Sequence, residues 1–277
     1  MKILAVDVGG TFTKYAVMNY SAEIFERGKI PTPLDCKENF YAAIHKLYKT
    51  FDVEGIALSL PGIVDSARGI LVKSVALNFC NGCNMVNELG ELCGCKVTIE
   101  NDARCAALAE AELGALSDVD DGFVMLFGTM IGGAFIKNRK VYKGLHNSAG
   151  EISFIRDGEK IFSDACSVPA LLKNFDGVTG ESFFSAVAEN NIDACKCLDE
   201  FTRRIAEKIF NIQLIIDVKK FAIGGGISAQ KIFIDSIRDN LNKIYDASPV
   251  EFNRVEIVPC KFLNDANLIG ALMTMKG

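Results

Sequence analysis

A strand, a glycine turn and a second strand occur near residue 7 and again near residue 128, and this repeat constrains the fold more than any other feature. In the first unit, apolar runs at residues 3–6 and 13–18 flank Asp7-Val8-Gly9-Gly10-Thr11. In the second, apolar runs at residues 123–127 and 134–136 flank the turn GTMIGG at residues 128–133. Apolar runs joined by a Gly-Gly turn predict a β-hairpin. A repeat of this length predicts two similar domains rather than a solenoid.

Helical and strand patterns alternate through the rest of the chain, which predicts an α/β fold. The Asn101-Asp102 pair marks the start of an Ala-rich helix, because both residues are common helix N-caps. We predict one domain at residues 1–115, joined by a C-terminal helix at 264–277, and a second at residues 116–263. The predicted helices are 37–51, 102–116 and 265–274, with one or two further helices across 181–216, and the further strands are 53–60, 96–100, 219–223 and 255–258.

The composition excludes several classes of partner. The net charge of -5 and the isoelectric point near 5.3 argue against nucleic acid, which requires a basic face. The first apolar run ends at Asp7 and is too short to span a membrane or direct export, so we expect a cytoplasmic protein without a membrane partner. The ten cysteines are then either small buried apolar residues or metal ligands.

The two glycine turns are candidate phosphate loops. Glycines at a hairpin tip let backbone N–H groups approach phosphate oxygens, and Asp7 beside them offers an oxygen ligand for Mg²⁺, directly or through water. Paired, the turns predict two phosphate loops that face each other across a central cleft. Neither turn fits the Walker or the dinucleotide-binding spacing. Read singly, each turn is also compatible with an ordinary hairpin.

Two further segments carry alternative interpretations. Asn101-Asp102 is either a helix cap or a sugar-binding amide followed by the base that accepts the proton of an attacking hydroxyl. Residues 221–228 (FAIGGGIS) end a strand in three glycines, which suits either a flat base or ribose packed on bare backbone or a simple tight turn.

The order of these segments resembles the ROK family (repressor, open reading frame, kinase) of bacterial sugar kinases over nearly the whole chain. Residues 7–14 (DVGGTFTK) are similar to its first phosphate motif, residues 100–110 (ENDARCAALAE) to its catalytic segment, and residues 148–151 (SAGE) to its sugar-contact segment. The remaining similarities are residues 61–62 with Asn78 (sugar-side loops), 128–133 (second phosphate loop), 223–228 (adenosine loop) and 264–266 with Gly270 (C-terminal signature).

The resemblance implies an actin-like fold, which is a duplicated ribonuclease H-like two-domain ATPase fold, and a homodimeric kinase that uses Mg²⁺ and ATP. It implies that Asp102 is the catalytic base. The sugar contacts that it implies are Pro61, Gly62, Asn78, Asn101, Asp102 and Glu151. The nucleotide contacts that it implies are Asp7, Gly9, Gly10, Thr11, Lys14, Gly128, Thr129, Gly225 and Gly226.

The chain departs from the family pattern after Glu151. Ser153-Phe154 stands where many family members have Gly-His, and Cys166 is the only cysteine between residues 150 and 170. Because His and three Cys hold the family's structural zinc, we predict that this chain has no zinc site. Phe154 also replaces a histidine that contacts the sugar in the family, and Met130 replaces a glycine in the second phosphate loop. A separate cluster, Cys80, Cys83, Cys93 and Cys95, suits either a metal or free thiols.

The expected activity is phosphorylation of a hydroxyl of a hexose or hexose derivative, such as glucose or a β-glucoside. Fructose and N-acetylhexosamines stay open as substrates. An alternative is a family member that binds or senses sugar without phosphorylating it. The family's repressors carry a DNA-binding segment before the first phosphate motif, whereas here that motif begins at residue 7. A kinase of another actin-like family, such as a pantothenate kinase, fits the segments at residues 100–102 and 148–151 less well.

Overall fold

The computed structural model describes residues 2–173, 175 and 177–276. These residues form two compact units. Unit 1 holds the described residues up to Glu112, the segment Lys143–Ser148 and the residues from Asp265 onward, and unit 2 holds Leu113–Tyr142 and Ala149–Asn264. The sequence-based division had put Lys143–Ser148 in the second domain. The terminal residues 1 and 277 of the predicted domains lie outside the described residues.

Unit 1 begins with strands and helices that follow the predicted alternation. Its strands are β1 (Lys2–Val8), β2 (Phe12–Asn19), β3 (Ile24–Pro31), β4 (Gly55–Leu60), β5 (Ile63–Asp65), β6 (Ile70–Lys73) and β7 (Lys96–Asn101). Its first helices are α1 (Lys37–Thr50), α2 (Met85–Cys93) and α3 (Asp102–Leu113). Short 3-10 turns are found at Asn78–Cys80 and, near the C-terminus, at Leu263–Asp265 and Thr274–Lys276.

Unit 2 has its own strands and helices, after which the chain returns to unit 1. The strands of unit 2 are β8 (Gly122–Phe127), β9 (Ile131–Lys137), β10 (Lys140–Tyr142), β11 (Arg156–Asp157), β12 (Lys160–Ile161), β13 (Lys220–Gly224) and β14 (Glu256–Pro259). Its helices are α4 (Phe162–Cys166), α5 (Val168–Leu172), α6 (Gly180–Ala188), α7 (Ile192–Ile216) and α8 (Lys231–Asp246), with 3-10 turns at Ile152–Phe154 and Gly226–Ala229. The last helix, α9 (Ala266–Met273), belongs to unit 1.

The main sheets of the two units have the same topology. In unit 1 the strand order is β3-β2-β1-β4-β7, and in unit 2 it is β10-β9-β8-β13-β14. In each sheet the first three strands are antiparallel and the last two join in parallel. The glycine turns join β1 to β2 and β8 to β9, so both predicted hairpins are confirmed. The duplication inferred from the two turns is therefore present in the fold.

Each unit has its own apolar core between its sheet and its helices. All six residues of β4 are buried, as expected for a central parallel strand covered on both faces. In unit 1, α9 packs so closely on α3 that a methyl group at Gly270 would lie 1.6 Å from the carbonyl oxygen of Cys105. Among the residues that the structure describes, no helix has both the length and the apolar character needed to cross a bilayer.

Candidate active site

The carboxylate of Asp7 is held at the end of β1 by two donors from distant parts of unit 1. Ser59 Oγ, from β4, donates to Asp7 Oδ1 at 3.0 Å. Asn267 Nδ2, from α9, donates to the same oxygen at 3.0 Å. Both hydrogen bonds fall on one oxygen, so they fix the orientation of the carboxylate through a single atom. The sequence did not single out Ser59 or Asn267 for this role.

The glycine turn after Asp7 is braced from β3. Gly9 N donates to Phe12 O at 3.1 Å, which closes the turn. Thr32 follows β3, and its Oγ1 donates to Gly9 O at 2.7 Å while its backbone N donates to Thr11 O at 3.0 Å. Gly10 and Thr11 are exposed. The tip of the turn therefore exposes its backbone to solvent, while hydrogen bonds from Thr32 hold the turn in place. Such a backbone suits close approach by a phosphate.

Lys14 lies across the hairpin from Asp7. The two residues are direct partners in the antiparallel β1–β2 register, and Lys14 is exposed. Side chains of directly opposed residues project from the same face of a sheet. The lysine ammonium and the Asp7 carboxylate therefore belong to one face of this sheet.

The Asn101-Asp102 pair forms the predicted helix cap and also holds the Asp102 carboxylate in a defined orientation. Asn101 ends β7 and is buried, and its Oδ1 accepts from Arg104 N at 3.1 Å, which caps α3. Its Nδ2 donates to Asp102 Oδ1 at 2.9 Å, and Ala103 N donates to that same oxygen at 2.8 Å. The capping residue therefore also orients the neighbouring carboxylate, which is half-buried at the start of the helix.

The predicted sugar-side loop at residues 61–62 contacts the same amide. Asn101 Nδ2 donates to Gly62 O at 2.9 Å. Gly62 has a φ of +111°, and a methyl group there would lie 2.2 Å from Lys73 O, so only glycine fits this turn. Asn78 lies in a separate 3-10 turn and is exposed. The structure thus joins residues 62, 101 and 102 into one hydrogen-bonded group of unit 1.

The second glycine turn is anchored inside unit 2. Gly128 N donates to Met130 O at 3.0 Å, and Gly128 O accepts from Val168 N at 3.0 Å. Ile131 N, just after the turn, donates to Ser163 Oγ at 2.8 Å. Thr129 is exposed, and Met130 is 49% exposed. About half of the methionine surface therefore lies in solvent.

The segment before Glu151 packs on β9 through two glycines. Gly150 has a φ of +92°, and a methyl group on it would lie 2.6 Å from Gly133 O. A methyl group on Gly133 would lie 2.7 Å from Gly150 O. Such contact of bare backbone with bare backbone explains why glycine is found on both sides. It fixes the half-buried Glu151 next to the strand that leaves the second turn.

The third glycine segment contacts the start of the second turn. Gly225 follows β13, has a φ of +91°, and a methyl group on it would lie 2.0 Å from Phe127 O. Phe127 is the last residue of β8 and directly precedes Gly128. Ser228 Oγ and Ser228 N both donate to Gly225 O, at 2.8 and 3.0 Å. In unit 2 the candidate adenosine and phosphate segments are therefore adjacent.

The predicted site residues divide between the units. Residues 7, 9–11, 14, 61, 62, 78, 101 and 102 lie in unit 1, and residues 128, 129, 151, 225 and 226 lie in unit 2. Among the described residues, no group of three or more His, Cys, Asp or Glu side chains is arranged to hold a metal ion. Burial raises the pKa of Cys80 to about 12 and that of Cys93 to about 11, with a neighbouring thiol as the next cause in each case.

Two proteins named as sugar kinases and one solved structure are similar to this chain over most of its length. The chain is 28% identical to a β-glucoside kinase of Listeria monocytogenes, over 98% of this chain and 96% of that protein. It is 27% identical to an N-acetyl-D-glucosamine kinase of Vibrio atlanticus, over 86% of this chain and 88% of that one. A ROK family protein from Streptococcus pneumoniae, solved in complex with sucrose, superimposes with a TM-score of 0.91 at 28% identity and covers 99% of this chain and 97% of its own.

The shared topology of the two sheets and this structural similarity identify an actin-like two-domain α/β fold. The sequence profile of the ROK family matches residues 3–277. The match includes both glycine turns, the Asn101-Asp102 pair and the C-terminal helix. This chain belongs to the ROK family.

Proposed function

We propose that the protein is an ATP-dependent sugar kinase that transfers the γ-phosphoryl group of ATP to a hydroxyl of a hexose or hexose derivative. The observation that carries the proposal is the oriented carboxylate of Asp102 at the start of α3, in a chain of the ROK family. The relatives named as β-glucoside kinase and N-acetyl-D-glucosamine kinase support the same reaction class.

Asp102 is the proposed general base. It takes the proton of the sugar hydroxyl as the new oxygen–phosphorus bond forms and the bond from the γ-phosphorus to the bridging oxygen of ADP breaks. Phosphoryl transfer needs mainly positioning and charge neutralisation, so a carboxylate of ordinary basicity suffices. The hydrogen bonds from Asn101 Nδ2 and Ala103 N hold one oxygen of the carboxylate and so define where the proton is received.

The proposed nucleotide contacts are backbone groups. Gly9, Gly10 and Thr11 in unit 1 and Gly128 and Thr129 in unit 2 offer N–H groups and hydroxyls to the phosphates. The tight packing of Gly225 on Phe127 supports the use of residues 225–226 for adenosine, because a side chain at Gly225 would disrupt the strand end that leads into the second turn.

Mg²⁺ is the expected companion of ATP, and the residues of unit 1 fit it. Mg²⁺ is usually held by one or two carboxylates together with phosphates and water. Asp7 offers such a carboxylate, and its two hydrogen bonds fall on Oδ1. We propose that Asp7 holds the ion directly or through water. The bound ion would neutralise phosphate charge.

For the sugar, we propose contacts from Pro61, Gly62, Asn78 and Glu151, with Asn101 acting mainly through Asp102. Both hydrogens of the Asn101 amide have acceptors already, in Gly62 O and Asp102 Oδ1. A β-glucoside is the favoured substrate class. Phe154 supports this choice, because its ring is 59% exposed three residues after Glu151 and offers an apolar face to an aglycone.

The test is a coupled ADP-release assay with Mg²⁺ and ATP against glucose, fructose, β-glucosides and N-acetylhexosamines. Turnover on a β-glucoside supports the proposal in full, and turnover only on another sugar keeps the kinase and replaces the substrate. Sugar-dependent thermal stabilisation without turnover on any sugar would refute the kinase and favour a sugar-binding protein.

We also propose a cytoplasmic homodimer. The cytoplasm supplies ATP and keeps thiols reduced, and no disulfide joins any two of the ten cysteines, all of which the structure describes. The family resemblance supports the dimer. Light scattering on the purified protein checks it against the 30.1 kDa mass of one chain.

A further inference from the structure

We propose that Arg104 is a positioning residue for sugar binding, which acts by anchoring the segment Lys143–Ser148 to the start of α3. The inference rests on the proposed function and concerns how that sugar site is held together. Arg104 lies two residues after Asp102, and its side chain is only 2% exposed. A buried guanidinium needs partners for its several donors, and here those partners come from three parts of unit 1.

The first partner is Glu100, which is also only 2% exposed. Arg104 Nη1 lies 3.5 Å from Oε1 of Glu100, which lies four residues earlier, in β7. Glu100 Oε1 also accepts from Asn101 N at 2.9 Å. The other carboxylate oxygen, Oε2, accepts from Ser66 Oγ at 3.0 Å. The buried carboxylate is therefore hydrogen-bonded on both oxygens, directly beneath the Asn101-Asp102 pair.

The second set of partners ties in the segment Lys143–Ser148. Lys143 Nζ lies 2.6 Å from Glu100 Oε2 and also contacts Ser66 Oγ. Arg104 Nη2 donates to Asn147 O at 2.6 Å, while its Nη1 donates to Val64 O at 3.3 Å. Glu100, Lys143 and Arg104 thus bind both ends of the segment to β7 and α3. Asp102, the proposed base, is the first residue of α3.

The middle of the segment lies at the surface. Leu145, in its middle, is 89% exposed, and His146 is exposed as well. Asn147 has a φ of +54°, a left-handed conformation that asparagine adopts more readily than most residues with a Cβ. The residue in this conformation is the one whose carbonyl oxygen Arg104 holds. The network therefore holds the segment near both of its ends, at Lys143 and at Asn147.

The consequence for sugar binding follows from chain continuity. The anchored residue Asn147 lies four residues before Glu151, and residues 148–151 are the proposed sugar-contact segment. At its other end the network supports Asn101, whose amide orients Asp102. Displacing a contact residue by a fraction of an ångström weakens binding and turnover of the substrate that it touches. We therefore assign Arg104 to the sugar rather than to the nucleotide.

The experiment compares Arg104→Met, which keeps the length of the side chain without its donors, with Arg104→Lys, which keeps the charge but loses the branched donors. Arg203→Met is the matched control, because Arg203 forms an exposed ion pair with Glu207 on α7. The measurements are kcat, KM for the sugar and KM for ATP by ADP release, and sugar binding by calorimetry in the absence of ATP.

For Arg104→Met we expect the sugar KM and the calorimetric Kd to rise about tenfold or more, with the ATP KM within about twofold of wild type. Arg104→Lys should recover part of the loss, and the control should match wild type. Equal rises in both KM values, or an unchanged sugar KM, would overturn the inference. If Arg104→Met does not fold, Lys143→Met decides by the same criteria, because that side chain is 32% exposed. Wild-type protein that neither binds nor phosphorylates any sugar would instead refute the proposed function.

Discussion

Replacing Gly225 with alanine tests the packing that joins the adenosine segment to the second glycine turn. The substitution lowers the free energy of unfolding for two reasons. The φ of +91° is unfavourable for any residue with a Cβ, and the new methyl group would lie 2.0 Å from Phe127 O and 2.7 Å from Phe127 C. Both atoms belong to backbone, which cannot rotate away as a side chain could.

A matched variant sets a lower bound on the conformational cost. Gly158, in the turn between β11 and β12, also has a positive φ, of +64°, but a methyl group there meets nothing within 4 Å. Gly158→Ala should therefore show a conformational cost alone, about 1–2 kcal/mol. Gly225 has a φ of +91° and a ψ of 168°, a region that is essentially restricted to glycine, so its conformational cost is larger, and the overpacking of a rigid contact adds about 1–3 kcal/mol. The entropic gain from replacing glycine applies to both variants and cancels in the comparison.

The assay is urea unfolding monitored by far-UV circular dichroism, because the chain has no tryptophan whose fluorescence could report unfolding. We expect Gly225→Ala to unfold at the lower urea concentration, with a free energy of unfolding at least about 1 kcal/mol below that of Gly158→Ala, because its larger conformational cost and its overpacking act in the same direction. The ATP KM should rise in Gly225→Ala and stay unchanged in Gly158→Ala. Equal stability of the two variants would refute the reasoning, because it would mean that the backbone beside Phe127 yields without cost.

Two further results are expected. Asn267→Ala removes one of the two hydrogen bonds on Asp7 Oδ1. Turnover should fall about tenfold at limiting Mg²⁺ and recover at higher Mg²⁺. A loss of turnover that added Mg²⁺ does not relieve would contradict the proposal that Asn267 acts by orienting Asp7 toward the ion. Burial raises the pKa of Cys80 and of Cys166 to about 12 each, so both thiols stay protonated at pH 8 and should resist iodoacetamide in the folded protein. Mass spectrometry after labelling checks this, and modification of either thiol without unfolding would contradict it.

Local signals in the sequence were sufficient for much of the fold. The Gly-Gly turn between apolar runs predicted the β1–β2 hairpin, and the Asn-Asp pair before an Ala-rich run predicted the start of α3. The predicted helix at residues 37–51 corresponds to α1 (Lys37–Thr50). The strand β3 (Ile24–Pro31) was not predicted, because its mixture of charged and apolar residues gives no alternation and it lies at the edge of the sheet.

The side chains that support the candidate site could not be predicted, because they come from distant parts of the chain. Asn267 and Asp7 are separated by 260 residues, and nothing in either local sequence indicates that they meet. Ser59 gave a weak signal, as a hydroxyl inside the otherwise apolar strand GIALSL. Arg104 gave a misleading signal, because a charged residue in a helix normally faces solvent, whereas here its side chain is buried and donates to Asn147 O. Such contacts depend on topology rather than on local pattern.

The most direct test of the central claim is Asp102→Asn, assayed for turnover of the best sugar and for sugar binding by calorimetry. The substitution keeps an oxygen that can accept from Asn101 Nδ2 and Ala103 N, but it removes the base. We expect turnover to fall by about a hundredfold to ten-thousandfold, with the sugar Kd within about threefold of wild type. Turnover close to that of wild type would remove Asp102 from the chemistry and contradict the mechanism.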